Sequence, residues 1–264
     1  MKLELNYHPS PHSTAKHPLL FVHGMAHAAW CWEWEFVPYF NRKGYDCYSL
    51  SFRGHGGSDG HDRIRWNRIG DYLKDLEDAL SRIPQKPVLV GHSMGGFVIQ
   101  KYLLKHDNVP AAITLSTVPA GGMLKGSLKI ARHFPWAFIK GNLTMSTAPF
   151  SESEHIIKTI AFSDTATDAL ITNVKKKMEP ESYMAYLDML FLDLHRPQKV
   201  KTPLLFLYAA NDFIVDYKGW KKTADGFGAQ QEVINDIAHD MFLDTHWQIA
   251  ASSIHDWLKI DLHI

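Results

Sequence analysis

Short apolar runs alternate with stretches of helical spacing along most of this 264-residue chain. Leu19-Leu20-Phe21-Val22, Tyr45 to Leu50, Val88-Leu89-Val90, Ala112-Ile113-Thr114-Leu115 and Leu204-Leu205-Phe206-Leu207 read as strands, with a short Glu232-Val233-Ile234 near the end. Continuous apolar runs belong to strands covered on both faces, so the pattern predicts an α/β domain with a mostly parallel central sheet and helices on both sides. The covering helices are read at Trp32 to Lys43 before Gly44, Ile69 to Ile83 before Pro84, the stretch from Phe97 to Leu103, and Trp247 to Leu258.

The rhythm breaks between Pro119 and Pro197, where four helical stretches follow one another with no strand between them. An all-helical insertion is expected there: residues 119–197 form a cap on a core made of 1–118 and 198–264. Ser151-Glu152-Ser153-Glu154 reads as a capping box opening one of its helices, and Thr165 with Asp168 as the start of the next. With no internal repeat and no low-complexity linker, the insertion should pack on the core rather than swing freely.

Lys+Arg and Asp+Glu both number 28, so no net charge recruits nucleic acid, and no run of basic residues marks a local patch. The two cysteines, Cys31 and Cys47, fall in a helix start and a strand, which fits buried reduced thiols better than a disulfide framework. The apolar run Leu19 to Val22 is too short for a signal-peptide core or a membrane span. A cytoplasmic protein with no integral membrane segment is expected.

One turn raises a chemical question. Gly91-His92-Ser93-Met94-Gly95 lies between a buried strand and a helix, where the sharp turn holds the serine oxygen above the sheet and the helix N-terminus points amides at developing negative charge. A serine hydroxyl needs a base, and His239 follows the late strand and precedes the final helix. An acidic group must orient that imidazole; Asp212 follows the strand at Leu204 to Leu207, with Asp216 four residues on as the competitor or a helix cap. His23-Gly24-Met25 follows the first apolar run. Its glycine permits close backbone approach, so Met25 joins Met94 as a candidate amide donor to an oxyanion, and His23 reads as structural.

Phe21-Val22-His23-Gly24, Arg53-Gly54-His55-Gly56-Gly57-Ser58, Gly91-His92-Ser93-Met94-Gly95-Gly96 and Ala238-His239-Asp240-Met241 together resemble the lysophospholipase- and carboxylesterase-like branch of the α/β-hydrolase-fold family. The resemblance spans nearly the whole chain. It implies an α/β-hydrolase fold, Ser93 as nucleophile, His239 as base, Asp212 as its orienter, Met25 and Met94 as the oxyanion hole, the insertion as a lid, and no cofactor. Serine at position 93 departs from the aspartate of haloalkane dehalogenases and epoxide hydrolases and speaks against both.

The expected activity is hydrolysis of a small to medium carboxylic ester, a small-molecule partner, through an acyl-enzyme. Thioesterase or lactonase chemistry would use the same triad; a hydroxynitrile-lyase-like reaction would call for an additional pocket lysine, and a ligand-binding receptor of the same fold would not turn over. His55 with His61 and Asp62, or His239 with Asp240, lack the helical spacing of a zinc pair, so no metal is expected. His27, Trp136 and Phe138 are the candidate pocket residues. The stripe Tyr183, Tyr186, Leu187, Leu190 and Phe191 reads either as packing inside the insertion, the favoured reading, or as part of the acyl pocket.

Overall fold

The computed structural model describes residues 1–263. Seven strands form one sheet in the order β1-β3-β2-β4-β5-β6-β7, with β1 Glu4–His8, β2 Leu19–Val22, β3 Cys47–Ser51, β4 Val88–His92, β5 Ala112–Leu115, β6 Leu204–Ala209 and β7 Gln230–Ile234. All neighbours are parallel except the edge pair β1 and β3. The polar run Glu-Leu-Asn-Tyr-His carries none of the continuous hydrophobicity of the inner strands, so β1 is an addition to the expected set.

Alternation along β2 divides the core. Leu19 and Phe21 join one cluster with Trp32, Phe36, Phe40 and Phe242, whereas Leu20 and Val22 join the other with Phe97, Phe206 and Trp220. Helices α1 Trp30–Glu33, α2 Phe36–Arg42 and α12 Trp247–Asp256 supply the first face; α3 Ile69–Arg82, α4 Met94–Leu103 and α11 Tyr217–Phe227 supply the second. The single helix expected over Trp32 to Lys43 is therefore two. Glu35 leaves the helical region at φ −127°, and the new helix restarts so that Pro38, which has no N–H, falls in its first turn. The last helix ends at Asp256 and continues as a wider π turn over Trp257–Asp261.

Between β5 and β6 lie α5 Leu124–His133, α6 Pro135–Thr144, α7 Ala148–Ser151, α8 Glu154–Ala161, α9 Asp168–Lys177 and α10 Tyr183–Leu187, with no strand among them. They are six pieces rather than four because Pro135 and Pro149 each start a new helix. The N-caps are shifted from their expected places: Ser153 accepts from the Ile156 amide and Thr167 from that of Leu170, while Ser151 ends α7. The segments that leave β5 and lead back to β6 run side by side, where the His195 amide donates to the Ala120 carbonyl at 3.2 Å. Just before α3, Arg68 Nε donates to both carboxylate oxygens of Asp188, which follows α10, at 2.9 and 2.8 Å. Among the described residues no helix is long and apolar enough to cross a membrane.

Candidate active site

Ser93 sits between β4 and α4 with φ 48° and ψ −112°, a region that side-chain-bearing residues avoid. Surrounding bonds hold it there: its amide donates to the Leu115 carbonyl at 3.0 Å, and its carbonyl accepts from the Phe97 and Val118 amides at 3.0 and 3.3 Å. Glycine is needed beside it, because a Cβ on Gly95 would come within 2.4 Å of the Val22 carbonyl oxygen. The turn can therefore pack tight against the end of β2.

His239, on the loop after β7, donates from Nδ1 to Asp212 Oδ2 at 2.8 Å. Asp212, on the loop after β6, receives the Ile214 and Val215 amides on its other oxygen, each at 2.8 Å. That fixes the carboxylate and leaves Nε2 of His239 as the basic nitrogen. Burial pushes the His239 pKa down, but the charge and hydrogen bond of Asp212, with the charge of Asp240, outweigh it and hold the ring above its ordinary 6.5. Asp216 stands elsewhere, at the N-cap of α11, accepting from Lys125 Nζ at 2.8 Å.

The loop after β2 passes against this site only because residue 24 has no side chain. A Cβ there would lie 2.6 Å from His92 Nδ1 and 3.1 Å from Ser93 Cβ. Met25 follows, then Ala26 with φ 63°. Two bonds pin the strained segment: His27 Nδ1 donates to the Met25 carbonyl at 2.7 Å, and the Glu179 amide donates to the Ala26 carbonyl at 3.1 Å. Met94, the first residue of α4, carries an amide without an acceptor inside the helix. His23 is structural, donating to the Gly24 carbonyl and accepting from the Phe52 amide, and burial together with the charge of His55 pushes its pKa well down.

A second buried layer lies behind the base. Nε2 of His27 is 3.2 Å from Asp240 Oδ2, and His92 Nε2 donates to the His239 carbonyl at 3.0 Å while lying 3.6 Å from Asp240 Oδ1. Burial disfavours the charge on Asp240, but these imidazoles hold its carboxyl at about 2. His92, His239 and Asp240 are the residues with potential metal-ligating atoms grouped within 4.8 Å. Of their ring nitrogens, His92 Nε2 serves the His239 carbonyl and His239 Nδ1 serves Asp212.

Ser93 and His239 open into a cavity of about 120 Å³ whose apolar wall includes Ile130, Phe138, Phe150 and Ile160. His27 and Phe138 line it. Trp136 does not: it is 82% exposed on the outer side of α6. Two positions along a helix turn a side chain by roughly 200°, so Phe138 and Trp136 cannot share a face. Tyr183 and Tyr186, of the stripe read as packing or pocket, face the cavity, where their hydroxyls donate to Asn142 Oδ1 and Ser127 Oγ at 2.9 and 3.1 Å. Glu181 lines the cavity too and had no sequence signal. Its Oε1 takes the Tyr72 hydroxyl and the Ser182 amide, both at 2.6 Å.

A strained serine at a strand-to-helix turn, with a carboxylate and a histidine on the loops after the next-to-last and last strands of this sheet, defines the serine hydrolases of the α/β-hydrolase fold. The chain belongs to the Hydrolase 4 family, described as "Serine aminopeptidase, S33", whose model matches residues 13–246. It is 28% identical over 210 residues to a pFDCC methylesterase of Arabidopsis thaliana, covering 75% of this chain and 77% of that one. An epoxide hydrolase of Xenopus tropicalis is 26% identical over 117 residues, 44% of this chain and only 31% of its own length. Among solved structures, an esterase from Exiguobacterium antarcticum superposes with a TM-score of 0.74 at 17% identity, covering 97% of this chain and 95% of that one. At that identity the likeness speaks for the fold.

Proposed function

We propose that this chain, a carboxylic ester hydrolase, cleaves small to medium carboxylic esters through an acyl-enzyme formed on Ser93. His239 Nε2 takes the hydroxyl proton as Ser93 Oγ bonds to the carbonyl carbon, and the carbonyl electron pair moves onto oxygen, held by the Met25 and Met94 amides. Collapse breaks the bond to the alcohol, which leaves with the proton from His239. Water then repeats the sequence on the acyl group, with His239 again as base, and releases the acid and free Ser93. Asp212 keeps Nδ1 protonated and stabilises the imidazolium. The observation that carries this reading is the 2.8 Å Asp212–His239 bond beside a backbone-strained Ser93 in one cavity.

In this reading residues 119–197 are the cap, and Phe138, Ile130 and Phe150 form the acyl pocket. Thioesters and lactones present the same carbonyl to the same atoms. Among the described residues that line the cavity there is no lysine, which favours hydrolysis over a lyase needing one. Cys31 and Cys47 are free and buried, in keeping with a reducing, cytoplasmic setting. A fluorophosphonate should label the peptide containing Ser93 once, and Ser93→Ala should abolish both label and p-nitrophenyl ester turnover. Retained turnover in that variant would overturn the assignment.

A further inference from the structure

Two of the helices that wall the cavity, α5 and α6, have a second, outward face that is exposed. On α6, Trp136, Ile139 and Leu143 follow one another at three- and four-residue spacing and form one stripe, 82%, 46% and 81% exposed. On α5, packed against α6, Leu124 and Leu128 share another stripe at 52% and 59% exposure. The opposite side of the same pair, at Ser127, Ile130, Phe138 and Gly141, lines the cavity. The outer stripes are therefore surplus to the packing that holds the helices in place.

Charge on this hairpin is one-sided although the whole chain is neutral. From Pro119 to Ser151 the sequence holds Lys125, Lys129, Arg132 and Lys140 with His133, and no Asp or Glu. Lys125 is matched by Asp216, and Lys129 lies over the Phe213 ring, 3.9 Å from its centroid. Arg132 and Lys140 are exposed, and Lys140 follows directly on Ile139 in the apolar stripe. The next acids along the chain, Glu152 and Glu154, come after α7, and Glu154 already faces Lys175.

We propose that the outer face of α5 and α6 docks on an anionic lipid surface, with Trp136, Leu143 and Leu128 entering the acyl boundary and Arg132 and Lys140 meeting the headgroups. An exposed tryptophan among aliphatic residues, on a hairpin that carries cations and no acids, suits the wet-to-apolar boundary of a bilayer better than a protein surface, which would supply acids of its own to match. Such docking lays a membrane directly over helices whose inner sides receive an apolar substrate. It does not depend on which residue is the nucleophile.

Co-sedimentation with vesicles of phosphatidylcholine containing about 30% phosphatidylserine tests this against pure phosphatidylcholine vesicles. The wild-type chain should pellet with the anionic vesicles, be released by high salt, and show a blue-shifted fluorescence component that Trp136→Phe removes. Trp136→Ser with Leu143→Ser should weaken binding at least about tenfold. Arg132→Gln with Lys140→Gln should weaken it about thirtyfold. Both variants should keep full turnover of p-nitrophenyl acetate. Failure of the wild type to bind, or binding that survives both pairs of substitutions, would overturn the proposal. So would a dimer in sedimentation velocity that Trp136→Ser with Leu143→Ser dissolves, because the face would then belong to a second copy.

Discussion

Nε2 of His55 lies 3.1 Å from Oε2 of Glu181, joining the glycine-rich loop after β3 to the segment between α9 and α10, with both side chains wholly buried. Attraction of charge and hydrogen bonding between the two groups both favour the contact. His55 Nδ1 donates to the Arg53 carbonyl, and a ring serving both partners must carry two protons. Burial pushes the His55 pKa down and that of Glu181 up, yet each ends on the side that favours the ion pair, His55 above 6.5 and Glu181 below 4.5.

The contribution of His55 is complete below 6.5 and is lost as pH rises through its raised value. That of Glu181 is complete above 4.5 and is lost as pH falls through its lowered value. Glu181→Gln should therefore lower stability by about 3–5 kcal/mol near pH 6, and by less near pH 9, because wild type loses the charge of His55 as pH rises through its raised value. Thermal melts of both proteins at the two pH values check this; an equal loss at both would show that packing, not charge, is what the substitution removes.

Ester turnover should depend on pH in the opposite sense. His239 acts as base only when neutral, so kcat/KM should rise with pH to a midpoint above 6.5, in line with the raised value of this ring. Asp212→Asn removes the charge that raises it but keeps the burial that lowers it. The midpoint should fall, and kcat should fall on the order of 10⁴-fold. A pH–rate profile of wild type and variant reads both effects.

Asp216→Asn should be close to silent in turnover, because its carboxylate contacts Lys125 at the exposed start of α11 and not His239. Steady-state kinetics with one short ester separate the two aspartates directly. Loss of turnover in Asp216→Asn comparable to that in Asp212→Asn would move the acid away from the residue that touches His239.

Acyl-chain selectivity should follow the inner side of α6 and ignore the outer one. Phe138→Ala should weaken the preference for longer acyl chains by about 1–3 kcal/mol while acetyl esters turn over almost as before. Trp136→Ala should leave the whole series unchanged. A panel of p-nitrophenyl esters of increasing length measures both, and a changed series for Trp136→Ala would return that residue to the pocket.

The inner strands were legible because double-sided burial leaves continuous apolar runs such as Leu19 to Val22 and Ala112 to Leu115, and the turn at Ser93 because its flanks, strand and helix, were themselves legible. Strand β1 was hidden by its edge position, where Asn6 and His8 need no apolar cover. The helix break at Glu35 and the shifted caps at Ser153 and Thr167 depend on which of several adjacent polar residues takes the extended backbone, a choice made by packing. Glu181 left no trace because its partner His55 is far along the chain and neither sits in a periodic segment. The cationic hairpin was masked for a different reason: its charges are spread through two helices, so neither the neutral total nor the absence of a basic run revealed it.

The bond between His195 and Ala120 has a consequence for how this molecule could change over time. Because the intervening helices depart and rejoin along segments that run side by side, their number, length and amino acids can vary without disturbing the register of β5 against β6. On the proposed function, diversification of what the enzyme accepts is thus separable from inheritance of its chemistry: the helices between β5 and β6 can be rewritten while the proposed Ser93, Asp212 and His239 stay fixed on the loops of the sheet.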